Sequence, residues 1–179
     1  MKVKAFHGMS SCYLIQGKKN VLIDAGADVH DKVDVIILTH SHFDHIAYLH
    51  HILQRNKTCK VYISEKEAYD LEHLSEKTMY RWSPIQLKPL KADKKLNDND
   101  LIKFTDFALR VIASPGHTDG SISLYNEKTG ELFSGDTVFN FNGVFGRTDL
   151  PSSSDEDMVK SINKLKALKI KKLYPGHDY

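Results

Sequence analysis

The chain has 179 residues, 41% of them hydrophobic, with 25 Lys and Arg against 23 Asp and Glu. That length suits one domain with a sizeable core, and a net charge of +2 selects no polyanionic partner. No apolar run reaches the roughly 18–20 residues of a membrane span, the first residues lack a signal peptide's apolar stretch, and two cysteines, Cys12 and Cys59, cannot build a disulfide framework, so a cytoplasmic location away from membranes is expected.

Taken in chain order, residues 3–7, 11–16 and 21–24 read as strands, the last two joined by the turn Lys18-Lys19-Asn20. Val35, Ile36, Ile37 and Leu38 form a continuous, largely β-branched run, which predicts a strand buried on both faces. A polar break over 39–44 follows, and Ile46, Leu49, His50 and Leu53 then recur at helical spacing, predicting one helix directly after it. Residues 59–64 read as a strand and 65–74 as a helix with an acidic first turn. The charge-dense stretch 88–100 is expected to be a loop. Strand pairs are predicted at 101–104 with 107–113 and at 121–125 with 131–134. Residues 155–168 carry an acidic start, a basic end and apolar residues at Met158, Val159, Ile162, Leu165 and Leu168, the pattern of an amphipathic helix. A short strand, 172–174, ends the series. No linker, repeat or low-complexity segment interrupts it, so one α/β domain spanning 1–179 is expected.

Histidine is the unusual count, at ten. The segment Thr39-His40-Ser41-His42-Phe43-Asp44-His45 places four potential metal ligands, His40, His42, Asp44 and His45, within six residues after a buried strand. Rigid scaffolds display functional groups at such strand ends. Imidazole with carboxylate suits zinc, iron or manganese better than calcium or magnesium. Three further strands end in Gly-containing turns that bear His117, Asp136 and His177.

This ordered set, His40-x-His42-x-Asp44-His45, then His117, Asp136 and His177, resembles the metallo-β-lactamase superfamily over nearly the whole chain. Asp24, in Leu22-Ile23-Asp24-Ala25-Gly26, also fits that family's early strand. The resemblance implies an α/β fold, the αβ/βα four-layer sandwich, with metals at one edge of its sheets. It implies two divalent ions, zinc first, with iron or manganese as alternatives: one on His40, His42 and His117, the other on Asp44, His45 and His177. Asp136 would bridge them, with a hydroxide between the ions as nucleophile, since a shared cation pair lowers the pKa of water from 15.7 to about 7. Asp44 and Asp136 are the catalytic carboxylates in this reading, Asp44 within reach of the attacking water. Asp24 is either the oxygen that orients a ligand histidine or a strand-end turn carboxylate.

Within the superfamily, His at 42 rather than Glu argues against the flavodiiron-type oxygen reductases, and the intact Asp44-His45 pair departs from the common zinc β-lactamases. The run Phe145-Gly146-Arg147-Thr148-Asp149-Leu150-Pro151 resembles the glyoxalase II-related hydrolases, so hydrolysis of a small-molecule thioester or ester is expected. The chain stops two residues after His177, without the helical C-terminal domain with which glyoxalase II binds glutathione; an open, weakly selective pocket is expected. A similar Gly-Arg-Thr-Asp run occurs in persulfide dioxygenases, where matching positions imply one iron on His40, His117 and Asp136; a phosphodiesterase or nuclease is the third reading. Arg147 is either an anion clamp for substrate or a partner for Asp149. His7, His30, His50, His51 and His73 are read as structural, and Cys12 and Cys59 as small core residues. Lys88, Lys91, Lys94 and Lys95 read as a solvated stretch rather than a nucleic-acid surface. Tyr80, Trp82 and the stretch 139–145 either line a pocket or pack. Oligomeric state leaves no signature in the sequence.

Overall fold

The computed structural model describes residues 1–178. Two sheets form its centre. The first takes β1 (Lys2–His7), β2 (Ser11–Gln16), β3 (Val21–Ile23), β4 (Val35–Ile37), β5 (Lys60–Ser64) and β6 (Lys94–Leu96), side by side in that order. The second runs β11 (Lys172–Pro175), β10 (Glu131–Gly135), β9 (Ile122–Asn126), β8 (Ala108–Ala113), β7 (Leu101–Lys103). Pairing is antiparallel through β1–β3 and parallel through β3–β6; in the second sheet only β10–β11 is parallel.

Alternation along the strands divides the core into three layers of side chains. Tyr13, Ile15, Val21, Ile23, Val35 and Ile37 point from the first sheet towards Leu109, Val111, Leu124, Phe133 and Tyr174 of the second. Their neighbours Leu14, Leu22, Ile36 and Ile63 point the opposite way, onto helices α1 (Phe43–Ile46), α2 (Leu49–Arg55) and α3 (Glu65–His73), meeting Ile46, Leu49, Ile52 and Leu71. Behind the second sheet, Ile112, Tyr125 and Leu132 pack on Leu165 of α4 (Asp155–Lys166). The inner strands β3 and β4 read as unbroken apolar runs because both faces are covered, and the helix–sheet–sheet–helix layering is the expected sandwich. Among the described residues no helix is long and apolar enough to cross a membrane.

Two expectations are corrected. The helix predicted after the polar break is two helices, interrupted at Ala47 and Tyr48. There the Ala25 amide takes the His45 carbonyl at 2.8 Å, and the Tyr48 amide turns to the Ala25 carbonyl at 2.9 Å, so the loop after β3 consumes the bonds that would continue the helix. The stretch 88–100 is not all loop: β6 pairs in parallel with β5, Tyr62 opposite Lys94 and Ser64 opposite Leu96. Its lysines are exposed and only Leu96 is buried, as suits an edge strand guarded by charge.

Candidate metal centre

Five strand ends converge on one edge of the sandwich: Asp24 follows β3, the 39–45 segment follows β4, His117 sits in the loop after β8, Asp136 follows β10 and His177 follows β11. Donor atoms of His40, His42 and His117 lie within 4.8 Å of one another, as do those of Asp44, His45 and His177, and those of His40, His45 and Asp136. Asp136 stands between the first two sets, its Oδ2 at 3.4 Å from Nε2 of both His117 and His177, and its Oδ1 at 3.1 Å from His45 Nε2. His177 Nε2 is also 3.1 Å from Asp44 Oδ2. All seven residues that the sequence marks as ligand candidates therefore meet in one cluster.

Two glycines make that approach possible. A Cβ at Gly176 would overlap Asp136 Oδ1 and come within 2.8 Å of His45 Cε1. Gly135 turns the chain at φ +51°, where a Cβ would lie 2.6 Å from Thr39 Oγ1.

The hydrogen-bond network sets which nitrogen of each ring faces the centre. Asp24 accepts from the Thr39 amide at 2.7 Å, the Thr39 hydroxyl at 2.9 Å and His45 Nδ1 at 2.9 Å. A carboxylate only accepts, so His45 donates its Nδ1 proton to Asp24 and turns Nε2 towards the centre; against burial, Asp136, Asp24 and Asp44 hold the ring's pKa well above its ordinary value. The Thr39 hydroxyl, having donated to Asp24, can only accept from His40 Nδ1 at 3.1 Å, which bares His40 Nε2. His117 Nδ1 donates to the Arg147 carbonyl at 2.8 Å. Asp24 is thus the oxygen that orients a histidine of the cluster, the first of the two roles its sequence left open.

Nε2 of His40, His42 and His117 are buried without a hydrogen-bond partner. Orphaned buried groups cost about 1–3 kcal/mol each, and three in one donor set are the arrangement a cation satisfies. The donor chemistry fits divalent metal. The charge state fits as well. Burial and the neighbouring imidazoles keep His40 well below its ordinary pKa and bring His42 to about 3, leaving both neutral and ready to donate. Burial alone would favour a protonated Asp136, but His45, His177 and His117 hold it well below the carboxylate range. Asp136 and Asp44 raise His177 to about 9, against the effect of burial.

The centre floors a cavity of about 360 Å³ walled by Trp82, Phe139, Val144, Phe145 and Leu150. Trp82, Phe139, Val144 and Phe145 thus line the pocket, whereas Tyr80 is not in its lining and Phe141 packs on the core behind the second sheet. The Arg147 guanidinium grips Asp149 through two bonds of 2.8 Å, while its backbone carbonyl holds His117. His7, His30, His50, His51 and His73 lie outside the cluster, and Cys12 and Cys59 are buried and unpaired by disulfide.

A model of the metallo-β-lactamase superfamily matches residues 5–177. The chain belongs to this superfamily. It is 35% identical to a probable metallo-hydrolase of Methanocaldococcus jannaschii, over 99% of this chain and 91% of that one. It is 27% identical to the hydroxyacylglutathione hydrolase GloC of Haemophilus influenzae, over 89% and 79% of the two chains. The crystal structure of the B3 metallo-β-lactamase BLEG-1 superposes with a TM-score of 0.80 at 26% identity, covering 99% of this chain and 92% of that one. Membership places the protein among metal-dependent hydrolases, and the His and Asp cluster offers donor groups that could hold a metal ion.

Sequence reasoning missed Glu67. From the first turn of α3 its buried carboxylate accepts from the Ser41 amide at 3.0 Å, from the Ser41 hydroxyl, and from the Thr118 hydroxyl at 2.6 Å. Ser41 lies between His40 and His42, and Thr118 follows His117, so one side chain ties the two loops that bear the first donor set. The only signal was an acid in a helix's first turn, which also reads as a dipole partner.

Proposed function

We propose that the protein is a dinuclear, glyoxalase II-like hydrolase of a small thioester or ester, with zinc as its metal. The observation that carries the reading is the pair of donor sets flanking Asp136. A single iron on His40, His117 and Asp136 would leave His42, Asp44, His45 and His177, all members of the same cluster, with no task, so the persulfide dioxygenase alternative accounts for less of the site.

Two divalent cations on these residues would supply Lewis acidity and a water acidic near neutral pH. The chain does the rest. His40, His42 and His117 would hold one position and Asp44, His45 and His177 the other, with Asp136 standing between the two sets. Asp24 and the Arg147 carbonyl lock the imidazoles that face the centre. Asp44, whose carboxyl is held below the ordinary range by His45 and His177 against the effect of burial, accepts a hydrogen bond from the attacking water and orients it towards the acyl carbon. The apolar walls exclude bulk water around the ester.

Metal analysis with an acyl-thioester assay tests this. About two equivalents of zinc are expected, falling to about one in His177→Ala with loss of most thioesterase activity, because an incomplete shell holds its ion weakly; Asp136→Ala should compromise both positions. Full metal content and full activity in His177→Ala would exclude the two-metal hydrolase. One equivalent of iron, with oxygen uptake that survives His177→Ala, would establish the dioxygenase.

A further inference from the structure

The cavity over the donor cluster is chemically lopsided. Beyond the His and Asp floor its wall is built from Met79, Trp82, Phe139, Val144, Phe145 and Leu150. Two of these aromatics are held open to solvent, Trp82 at 63% and Phe145 at 43% exposure. Large rings left in water at a cavity mouth mark a surface that gains by being covered. Arg147 is the one Lys or Arg among the described residues of the lining, and it pairs with the exposed Asp149 through two bonds. The wall therefore offers mainly apolar area and a single guanidinium that already has a carboxylate beside it.

We propose that the substrate is a thioester or ester with an apolar acyl group, seated against Trp82 and Phe145, and that the wall discriminates against a polyionic thiol such as glutathione. The proposal rests on the hydrolase reading above and names its substrate class. Hydrolysis breaks the acyl C–S bond and forms a C–O bond from water, releasing a carboxylate, a thiol and one proton; the acyl chain stays on the apolar wall while the carbonyl faces the floor. A glutathione portion would bring two carboxylates and an ammonium to a largely apolar wall whose one Lys or Arg already sits beside Asp149.

Trp82 is the single tryptophan of the chain, so its emission reports on this wall without any turnover. The metal-loaded protein is titrated with hexanoate, acetate and S-methylglutathione. Hexanoate should shift the emission with a half-saturation at least about tenfold lower than the other two, the scale on which an apolar pocket separates alkyl groups. Trp82→Phe should abolish the signal, and Phe145→Ala should weaken hexanoate binding. In parallel, hexanoyl and acetyl thioesters of N-acetylcysteamine are compared with hexanoyl-glutathione. The hexanoyl-to-acetyl ratio of kcat/KM should fall in Trp82→Ala and be largely kept in Trp82→Phe. S-methylglutathione binding as tightly as hexanoate, or hexanoyl-glutathione matching the neutral thioester, would overturn the proposal. An emission shift with hexanoate but no thioester turnover would refute the hydrolase reading while leaving the apolar site standing.

Discussion

Asp24 sits at φ +59°, a left-handed conformation that Asp and Asn tolerate better than most residues, with its carboxylate spent on the Thr39 amide, the Thr39 hydroxyl and His45 Nδ1. Asp24→Asn keeps the backbone geometry and replaces one accepting oxygen by a donor. If the amide nitrogen faces His45, the ring must move its proton to Nε2 and lose the lone pair aimed at the cluster. Metal affinity, measured by competition with a chelator, should fall about 10–100-fold; unchanged affinity with an unchanged melting temperature would show that Asp24 merely closes a turn. A second residue-scale expectation concerns protons. His177, raised to about 9 by Asp136 and Asp44 despite its burial, is protonated in the metal-free protein at pH 7.5 and must lose that proton to become a ligand. Zinc uptake should therefore release a proton, and affinity at the second position should weaken as pH falls from 9. Calorimetry in two buffers of different ionisation enthalpy reads this directly, and identical heats would refute it. Cysteine chemistry enters nowhere in the site, since burial raises both Cys12 and Cys59 to about 12.

Helix α3 does more than cover the first sheet. Its N-terminal Ser64 hydroxyl donates to the Gly120 carbonyl at 2.6 Å, and Glu67 reaches Ser41 and Thr118, so the helix start is bolted to both loops of the first donor set. Glu67 is buried enough that desolvation raises its pKa in spite of those bonds. Glu67→Ala removes the acceptor of the Ser41 amide and hydroxyl and leaves Thr118 only Ser121 Oγ at 2.7 Å, and should cost about 1–3 kcal/mol of stability, while Glu67→Gln, which can accept from Ser41 and donate to the Thr118 oxygen, should melt close to the parent. Equal loss in both variants would mean that the charge, not the hydrogen bonding, matters. None of this was legible in the sequence, because Glu67 stands 26 positions from Ser41 and 51 from Thr118 and no local pattern records contacts at that range. The strands were legible for the opposite reason: Val35, Ile36 and Ile37 declare burial on both faces within three residues. The break at Ala47 and Tyr48 escaped notice because its cause, the backbone of Ala25, belongs to another loop.

At the scale of the whole molecule, the seven clustered residues come from both sheets, with His40, His42, Asp44 and His45 at the edge of the first and His117, Asp136 and His177 at the edge of the second. A cation bound among them cross-links the halves of the sandwich and relieves the orphaned nitrogens, so chelation should destabilise the entire fold. The expected loss is about 2.7 kcal/mol when free metal was at about 100 times its Kd, read as a lower melting temperature on treatment with EDTA and its recovery on adding zinc. A melting curve indifferent to EDTA, after metal removal has been verified, would refute the link. The gathering of these residues was legible because each motif stands at the end of an apolar run. Their separations were not, because they depend on the turn at Gly135 and on the bare Gly176 against Asp136. The pairing of β11 with β10, which brings Gly176 to the Gly135 carbonyl at 2.9 Å, has a further consequence for synthesis on the ribosome. The first-sheet histidines emerge early, His117 and Asp136 later, and residue 177 last of the set, so on the two-metal proposal the second donor set is the last to be complete, and a chain interrupted before residue 177 would carry only the first.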